Sequence, residues 1–537
     1  MAVLKDELAV DPANAAGTAS ARVDRAQARP VSSSYLAPGT APVKNYEELD
    51  GGLGREVFFR PHRYRAADLS PLVVDLRVTR GDVSCRCRMR DVSQSGIAFE
   101  WNEILGSNIE ISEISVSFDH SEAYRGPVRV IVVRDLQGVT VVGVQFVSFL
   151  INMDEVAQLR ELRQWLADDA EVLGVARKPW QVEGYAVFKA KIAEFKLFLD
   201  EAKALFEGLE RSLPWTATPG EAPQPARLAL IERVEREFVP DVLRYSKEIW
   251  DAVCDVPAAD LPALQAYSRR HMHAHFMDAQ WLERAHRKPF GYPGDYEVMR
   301  SIYGKTFEGR TLFARAMNYA AVLMPAACSV RARKDAVKQQ LADLIARHAM
   351  TNTPVRILSV AAGPAQEVFE LLSEAHDIPV PVEIILFDQD DGALAFAYGR
   401  MRQLVDQRWP QQVQITFLHD SIKRLLKDPE IFNTFGHFDA IICAGLYDYL
   451  RVPVAVNLTR NLAQRLLPGG TLYIGNMVPH IPSRWIMELH LDWYLIFRTH
   501  EEMIAFAQEA APDDDVFILP ESTGFNPFVC VHRASHG

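Results

Sequence analysis

The sequence predicts a multidomain α+β protein: a small β-barrel or sandwich, a helical region, and a C-terminal doubly wound α/β domain. Three changes of pattern support this fold class. Short, partly alternating apolar segments fill residues 55–150, and apolar residues then recur at helical spacing over 152–349. Strand-like and helix-like segments alternate after 355. A chain of 537 residues is too long for one hydrophobic core, so several domains are expected.

The start of the chain differs in composition from the remainder. Residues 1–45 are rich in Ala, Pro, Ser and Thr, which predicts a disordered leader. The first ten residues include acidic side chains and no apolar core of a secretory signal. The longest apolar stretch, at 319–330, is too short to span a bilayer, so no transmembrane segment is expected.

Charge and cysteine content narrow the class of protein. The formal net charge of −12 argues against a protein that coats nucleic acid, although it leaves room for a local basic site. The six cysteines show no zinc-binding spacing, so no metal site is predicted. Scattered thiols fit a reducing compartment, and we expect a soluble cytoplasmic protein without a nucleic-acid partner. The sequence leaves a homodimer open.

Residues 50–150 are predicted to form the β domain, and they carry a polar motif at a strand end. The stretch RMRDVSQSGIAFEW contains Asp91-x-Ser93-x-x-Gly96. It follows an arginine-rich segment, REVFFRPHRYR, and arginine grips phosphates bidentately and stacks on bases.

Together these segments resemble the PilZ domain, a family that binds cyclic di-GMP. The DxSxxG motif is intact, whereas the family's two arginines separated by three residues are not reproduced. The resemblance implies a PilZ-like β-barrel and a cyclic di-GMP site. Its implied residues are Arg60, Arg63, Arg65, Asp91, Ser93 and Gly96. The alternative is a PilZ-like fold that mediates domain contact instead.

Residues 151–350 are predicted to be a helical linker and cap region, and 351–537 the α/β domain. The segment RILSVAAGPAQE (356–367) reads as a buried strand, a turn and the start of a helix. The next strand ends at Asp388, 25 residues after Gly363, and an acidic residue at about this separation fits ribose recognition. Later strand ends fall at His419-Asp420-Ser421 and at Gly445-Leu446-Tyr447-Asp448.

This ordered set resembles the class I S-adenosylmethionine-dependent methyltransferases, over about 355–480. The resemblance implies a Rossmann-like domain with Gly363 under the methionine part of the cofactor, Asp388 on the ribose and Asp420 near the adenine. The family's acidic residue in the first strand is Ser359 here, and two of its loop glycines are Ala361 and Ala365. The predicted cofactor-binding residues are Ala361, Gly363, Pro364, Asp388, Gln389, Asp420, Ser421, Gly445, Tyr292 and Asp295.

A narrower resemblance covers about 260–533. The segments KPFGYPGD (288–295), AGLYDYL (444–450), GNMVP (475–479) and MELHLDWYLIFRT (487–499) are similar to a bacterial methyltransferase subfamily. That subfamily includes enzymes associated with methyl esterification of a hydroxy fatty acid that serves as an extracellular signal. We interpret KPFGYPGD as a lid in which Tyr292 covers the sulfonium, with a tight interhelical turn as the alternative.

The predicted catalytic residues are Tyr447, Asp448, Asn476 and His480. A carboxylate acceptor needs only positioning and a nearby positive group, for which Arg498 or His480 is a candidate. A hydroxyl or amine acceptor needs a base, and His480, His490 or Asp448 is a candidate. These alternatives stay open in the sequence.

The resulting hypothesis is methyl transfer from S-adenosylmethionine to a small molecule, such as a fatty-acid-like carboxylate, regulated by cyclic di-GMP in bacterial signalling. The alternative is a non-catalytic cyclic di-GMP receptor. In that case the methyltransferase domain is degenerate and the chain signals through a protein partner.

Overall fold

The computed structural model describes the strand Glu47–Glu48 and residues 63–534, apart from 103, 105–108, 137, 154, 157–158, 161, 164–183, 213–223, 258 and 429. The predicted leader at 1–45 and Arg60 lie outside the described residues. Across the described part of the chain, no helix combines the length and the apolar character that crossing a membrane would need.

The first folded region is all β. Its strands form a five-stranded sheet in the order β2-β5-β6-β10-β9 and a four-stranded sheet in the order β4-β3-β7-β8, with antiparallel pairing throughout. The first strand of the chain, β1 (Glu47–Glu48), belongs to the C-terminal sheet. The strands of the all-β region are β2 (Tyr64–Arg65), β3 (Val74–Arg80), β4 (Val83–Cys87), β5 (Met89–Ser93), β6 (Gly96–Glu100), β7 (Glu113–Phe118), β8 (Ser121–Gly126), β9 (Val128–Leu136) and β10 (Val139–Phe146).

Both sheets of this region contribute to one apolar core. Alternate residues such as Leu76 and Val78 of β3 face inward, where they meet Val92, Phe99 and Val142 of the other sheet. The predicted small β domain is confirmed. Its described strands divide between two sheets, however, and do not close into one barrel.

Helices dominate the middle of the chain. Phe188, Ile192, Phe195 and Leu199 recur every three to four residues on the first helix, and this spacing buries one stripe of it. The helices are α1 (Ala186–Ser212), α2 (Gln224–Glu237), α3 (Val239–Val253), α4 (Leu261–Met277), α5 (Gln280–Arg287), α6 (Tyr296–Tyr303), α7 (Leu312–Val322) and α8 (Pro325–Thr351). Their core also takes in side chains from 477–493, so the helical region packs against late parts of the chain.

The C-terminal region is built on a sheet in the order β1-β13-β12-β11-β14-β15-β17-β16. Its strands are β11 (Val355–Val360), β12 (Val382–Asp388), β13 (Val413–His419), β14 (Phe438–Cys443), β15 (Leu466–Gly475), β16 (Asp515–Leu519) and β17 (Phe528–His532). The accompanying helices are α9 (Gln366–Glu374), α10 (Asp391–Arg408), α11 (Ile422–Leu425), α12 (Val452–Ala463), α13 (Arg484–His490) and α14 (His500–Ala510).

Strands β11 to β15 pair in parallel, and β1 adds a short parallel pairing at Leu418 and His419. The sheet as a whole is mixed, because β17 runs antiparallel to both β15 and β16. Only eight residues join β16 to β17, too few for a parallel crossover. Apolar clusters cover both faces of this sheet, and the predicted doubly wound fold class is confirmed.

The strand order reverses at β11, which lies between β12 and β14. The chain therefore leaves β11 and β14 towards opposite faces of the sheet. This opens a crevice at their carboxyl ends, where ligands bind in folds of this type.

Candidate functional site

A cavity lies at the carboxyl ends of β11, β12, β14 and β15. Its walls include Ala361, Gly363 and Pro364 from the loop after β11, Asp388 and Gln389 at the end of β12, and Gly445 and Asp448 after β14. Seven residues predicted from the sequence therefore share one wall, as expected for strand ends that meet at one edge of a sheet.

The loop after β11 has an unusual backbone. Ala361, Gly363 and Ala365 have φ values of 53°, 54° and 46°, in the left-handed region. Nothing lies within 4 Å of the position that a Cβ on Gly363 would occupy, so the loop leaves open space there. Both alanines that replace the glycines of the resembled family thus adopt the conformation that glycine favours.

Asp388 fixes this loop. Its carboxylate accepts hydrogen bonds from the Gly363 amide at 2.7 Å and from the Asp390 amide at 2.9 Å. Burial nevertheless raises the pKa of the Asp388 carboxyl. A carboxylate has about four acceptor positions, so two bonds leave capacity for hydroxyl donors from a ligand.

Gln389 contributes a buried polar atom without a partner. Its Oε1 has no hydrogen bond in the described structure, and the residue lines the cavity beside Asp388. A buried acceptor without a donor costs free energy, and a ligand hydroxyl or amino group would satisfy it.

The segment at 288–295 forms another wall of the cavity. Tyr292 lines it, and the Tyr292 hydroxyl donates to Asp390 Oδ2 at 3.3 Å. Gly294 lets the segment approach Trp493, because a Cβ there would lie 2.9 Å from Trp493 Cζ2. The segment thus lines the cavity, and its role as a lid stays a prediction.

Asp295, a predicted cofactor-binding residue, lies at the N-terminus of α6. Its carboxylate caps α6 by accepting from the Glu297 and Val298 amides, each at 3.0 Å, and it pairs with Arg284 at 2.8 Å. These bonds explain why a carboxylate is buried here. Asp295 is not among the residues that line the cavity.

Asp420 and Ser421 also lie just outside the cavity wall. Asp420 pairs with Arg424 at 2.5 Å, and the hydroxyl of Ser421 accepts from the Arg424 amide at 3.1 Å as the N-cap of α11. The next residue, Ile422, lines the cavity. Contact of Asp420 with an adenine base stays a prediction.

Of the four predicted catalytic residues, the structure brings only Asp448 to the cavity. Its Oδ1 accepts from the Met477 amide at 2.8 Å, and burial raises the pKa of its carboxyl to about 6. Tyr447 points away into the core, where its hydroxyl contacts Thr459 at 3.0 Å and its ring stacks on Phe506.

Asn476 and His480 do not line the cavity either. Asn476 donates to the Ile496 carbonyl at 3.0 Å and accepts from Arg498 at 2.5 Å, whereas His480 is exposed. Arg498 is occupied by backbone carbonyls, including that of Tyr447 at 2.8 Å. Asn476 and Arg498 therefore have a structural role, because they bind backbone carbonyls between 447 and 496.

His490, the remaining candidate base, lies in the helical core. Its Nε2 is 2.6 Å from the hydroxyl of Ser268, and burial holds the pKa of its ring well below the usual value. Among the bases suggested by the sequence, Asp448 is therefore the one that faces the cavity.

The sequence did not indicate five polar wall residues, Tyr296, Tyr303, Arg333, Glu367 and Tyr449. Arg333 lies within helix α8, before the sheet begins, so no strand-end signal marks it. Glu367 belongs to the first turn of α9, where an acidic residue is also common for capping reasons.

In the β region, the structure brings together part of the predicted nucleotide site. Arg63 pairs with Asp91 at 2.5 Å, and Arg65 lies opposite Asp91 in the β2–β5 register. Ser93 is buried and donates to the Gly96 carbonyl at 3.2 Å. A Cβ on Gly96 would lie 2.3 Å from the Val144 carbonyl oxygen, so strand packing demands glycine there.

Residues 58–167 match the PilZ domain family. The match covers most of the arginine-rich segment and the whole DxSxxG motif, so the β region is hereafter the PilZ region. None of the curated proteins compared with the chain matches it.

Solved structures provide further similarities. The chain is similar to a possible exported protein from Bordetella parapertussis, with 18% identity and a TM-score of 0.37 over 52% of this chain and 96% of that one. An O-methyltransferase family protein from Burkholderia thailandensis has 16% identity and a TM-score of 0.27, over 40% of this chain and 60% of that one. Human N-acetylserotonin methyltransferase in complex with SAM has 13% identity and a TM-score of 0.27, over 54% of this chain and 70% of that one. At these TM-scores the likeness carries no weight, and strand order alone supports the fold.

Proposed function

We propose that this protein is an S-adenosylmethionine-dependent methyltransferase that acts on a small molecule. The observation that carries the proposal is the cavity at the strand-order reversal, where the loop after β11 is tied to Asp388. Nucleoside cofactors of doubly wound folds bind at this position.

The residues present fit such a cofactor. Gly363 leaves open space above the loop, Asp388 keeps acceptor capacity for ribose hydroxyls, and Gln389 Oε1 lacks a donor. Tyr292 adds an aromatic surface, which attracts a cation such as a sulfonium. When bound, S-adenosylmethionine supplies an electrophilic methyl group.

The chain's own residues would then position the acceptor and exclude water. Trp493, Met299 and Leu495 give the cavity an apolar wall. An apolar wall suits the hydrocarbon part of a fatty-acid-like carboxylate. Such an acceptor needs no base, only positioning.

For a hydroxyl acceptor, Asp448 would take the proton. Its Oδ1 already accepts from the Met477 amide, which leaves Oδ2 for the acceptor. A carboxyl whose pKa is about 6 is largely ionised at neutral pH and close to the pKa suited to a general base.

We further propose that cyclic di-GMP binds the PilZ region and regulates methyl transfer. The support is the PilZ match together with Arg63, Arg65 and Asp91 gathered on and beside β2 and β5. Guanidinium groups are suited to the phosphates and bases of such a ligand.

Turnover tests the proposed function. Purified protein is incubated with S-adenosylmethionine and a lipid extract, and release of S-adenosylhomocysteine is measured with and without cyclic di-GMP. Mass spectrometry then searches for an extract component that gains one methyl group. Extract-dependent release supports the enzyme. Binding of cyclic di-GMP with no turnover under any condition supports a non-catalytic receptor instead.

A further inference from the structure

Two buried groups of opposite charge line the cavity without a direct ion pair. Arg333 and Glu367 are each 6% exposed, and both belong to the cavity wall. Within the described part of the chain, no ion pair within 4 Å joins them to each other or to a third side chain. The hydrogen bond from Arg333 Nη1 to Asn526 Oδ1 is long, at 3.4 Å.

The fold makes room for Arg333 at this place. A Cβ on Gly475 would lie 3.2 Å from Arg333 Cδ, and one on Gly445 would lie 3.6 Å from Nη2. The side chain therefore crosses the carboxyl ends of β14 and β15 where the chain carries glycine. Burial raises the pKa of the Asp448 carboxyl and of the Tyr303 and Tyr449 hydroxyls, and the nearby Arg333 guanidinium opposes each rise.

Glu367 follows directly after the loop that Gly363 opens. Burial raises the pKa of its carboxyl, and the nearby guanidinium groups of Arg333 and Arg400 oppose that rise. Arg400 is not a partner for it, because Arg400 donates to the Pro364 carbonyl and to Gln366 Oε1. Glu367 thus faces the cavity as a carboxyl group that forms no direct ion pair with a described cation.

Buried charges in proteins are normally paired, because an isolated charge loses its hydration. The ligand that would satisfy both groups carries an ammonium for Glu367 and a carboxylate for Arg333. An α-amino acid carries both on one carbon atom. Ser359, which also lines the cavity, stands where the resembled family has an acidic residue, so Glu367 supplies the missing negative charge from the next helix.

We infer that Arg333 and Glu367 bind the amino-acid end of the methyl donor, with Arg333 on its carboxylate and Glu367 on its ammonium. The inference rests on the proposed function for the identity of the ligand. It assigns two residues that no strand-end motif marks.

Two ligands separate this role from a structural one. S-adenosylhomocysteine carries the amino-acid end, whereas 5′-methylthioadenosine has the same adenosine and thioether without it. Calorimetric titration of the full chain compares both ligands for wild type, Glu367→Gln, Arg333→Met and Arg333→Lys. Glu370→Gln is the matched control, because Glu370 lies on the same helix but pairs with Lys338 at 3.1 Å.

Loss of one charged hydrogen bond is expected to weaken S-adenosylhomocysteine binding about 10- to 100-fold in Glu367→Gln and Arg333→Met. Affinity for 5′-methylthioadenosine is expected to stay unchanged, and Arg333→Lys is expected to recover part of the loss. Equal weakening of both ligands, or no weakening of either, overturns the inference. Wild-type protein that binds neither ligand overturns the proposed function itself. If Arg333→Met fails to fold, the isosteric Glu367→Gln decides alone.

Discussion

Ala361 holds a left-handed backbone conformation at φ 53°, beside the ligand cavity. For an L-residue with a Cβ this conformation costs about 1–2 kcal/mol, and only surrounding contacts maintain it. The Ala362 amide supplies one such contact by donating to the Phe387 carbonyl at 3.1 Å. The strain is thus local to the turn.

We predict that Ala361→Gly raises the free energy of unfolding by about 1 kcal/mol, because glycine adopts this conformation without the Cβ penalty. Urea denaturation measures the change. The matched control is Ala362→Gly, whose φ is not positive and which is expected to destabilise by about 0.5–1 kcal/mol. Similar destabilisation by both substitutions would show that Ala361 is not strained.

Asp448 makes stability depend on pH. Its carboxyl has a pKa of about 6, raised by burial from an ordinary value of 3.8. Between about pH 4 and pH 6 the folded state binds a proton that the unfolded state has lost, so stability falls as pH rises through this window. Above about pH 6, the folded state bears the full free-energy cost of burying the Asp448 carboxylate.

Asp448→Asn is therefore expected to stabilise the fold at pH 8, by at most about 3 kcal/mol, and to change it little at pH 4. The Asn oxygen can still accept from the Met477 amide, which keeps the geometry. Denaturation midpoints between pH 4 and pH 8 measure this. If the stability of Asp448→Asn changed with pH in parallel with that of the wild type, Asp448 would not be the source of the pH dependence.

At the residue scale, the sequence predicted best where a strand end marks a position. Ala361, Gly363, Asp388 and Gly445 lie at or just after the ends of buried strands, and the parallel sheet brings them together. Tyr447 was misplaced because adjacent residues of a turn point in opposite directions, so Asp448 faces the cavity and Tyr447 faces the core.

At the scale of elements, helix α10 supports the loop after β11 through Arg400. The guanidinium donates to the Pro364 carbonyl and to Gln366 Oε1, and it lies 4.4 Å from the centre of the Phe369 ring and 4.7 Å from that of Phe396. A clamp of this kind helps to hold a loop that contains two left-handed alanines.

We predict that Arg400→Met loosens this loop, because the methionine keeps the apolar stem and loses the donors. Amide hydrogen exchange should then accelerate at Ala365, whose amide bonds to the Ala362 carbonyl at 2.9 Å. The control is Arg402→Met, which removes only an exposed ion pair with Asp406. Unchanged protection at Ala365 in Arg400→Met would contradict the clamp.

The elements themselves were largely predictable from periodicity. The patterns over 356–388 and 413–443 indicated β11 to β14, and period-two segments indicated the PilZ region. The antiparallel β17 was not predicted, and the sequence left open whether the PilZ region forms a barrel or a two-sheet sandwich, because hydrogen-bond partners of strands depend on tertiary contacts.

At the scale of the whole molecule, two proposed ligand sites share one chain. If cyclic di-GMP regulates methyl transfer through cofactor binding, each ligand must change the affinity for the other by the same factor. Motifs of the sequence predict both sites separately, whereas the coupling between them has no sequence signature.

We predict that saturating cyclic di-GMP changes the dissociation constant of S-adenosylhomocysteine by about 5-fold or more, with the same factor in the reverse titration. Arg63→Ala is expected to remove the effect, because it removes a guanidinium from the Asp91 site and touches no cofactor residue. Arg86→Ala, an arginine of the same region that pairs with Asp75, is the control. Identical affinities with and without the nucleotide would exclude this mode of regulation.

The central claim is that the strand-order reversal of the C-terminal sheet holds a methyl-donor site, and calorimetric titration of the full chain with S-adenosylhomocysteine tests it most directly. We expect saturable binding at one site per chain. Asp388→Ala should weaken it at least about 10-fold, since this carboxylate bonds the Gly363 amide, whereas Asp406→Asn, at an exposed ion pair, should not. No heat of binding from S-adenosylhomocysteine or S-adenosylmethionine at millimolar concentration would contradict the claim.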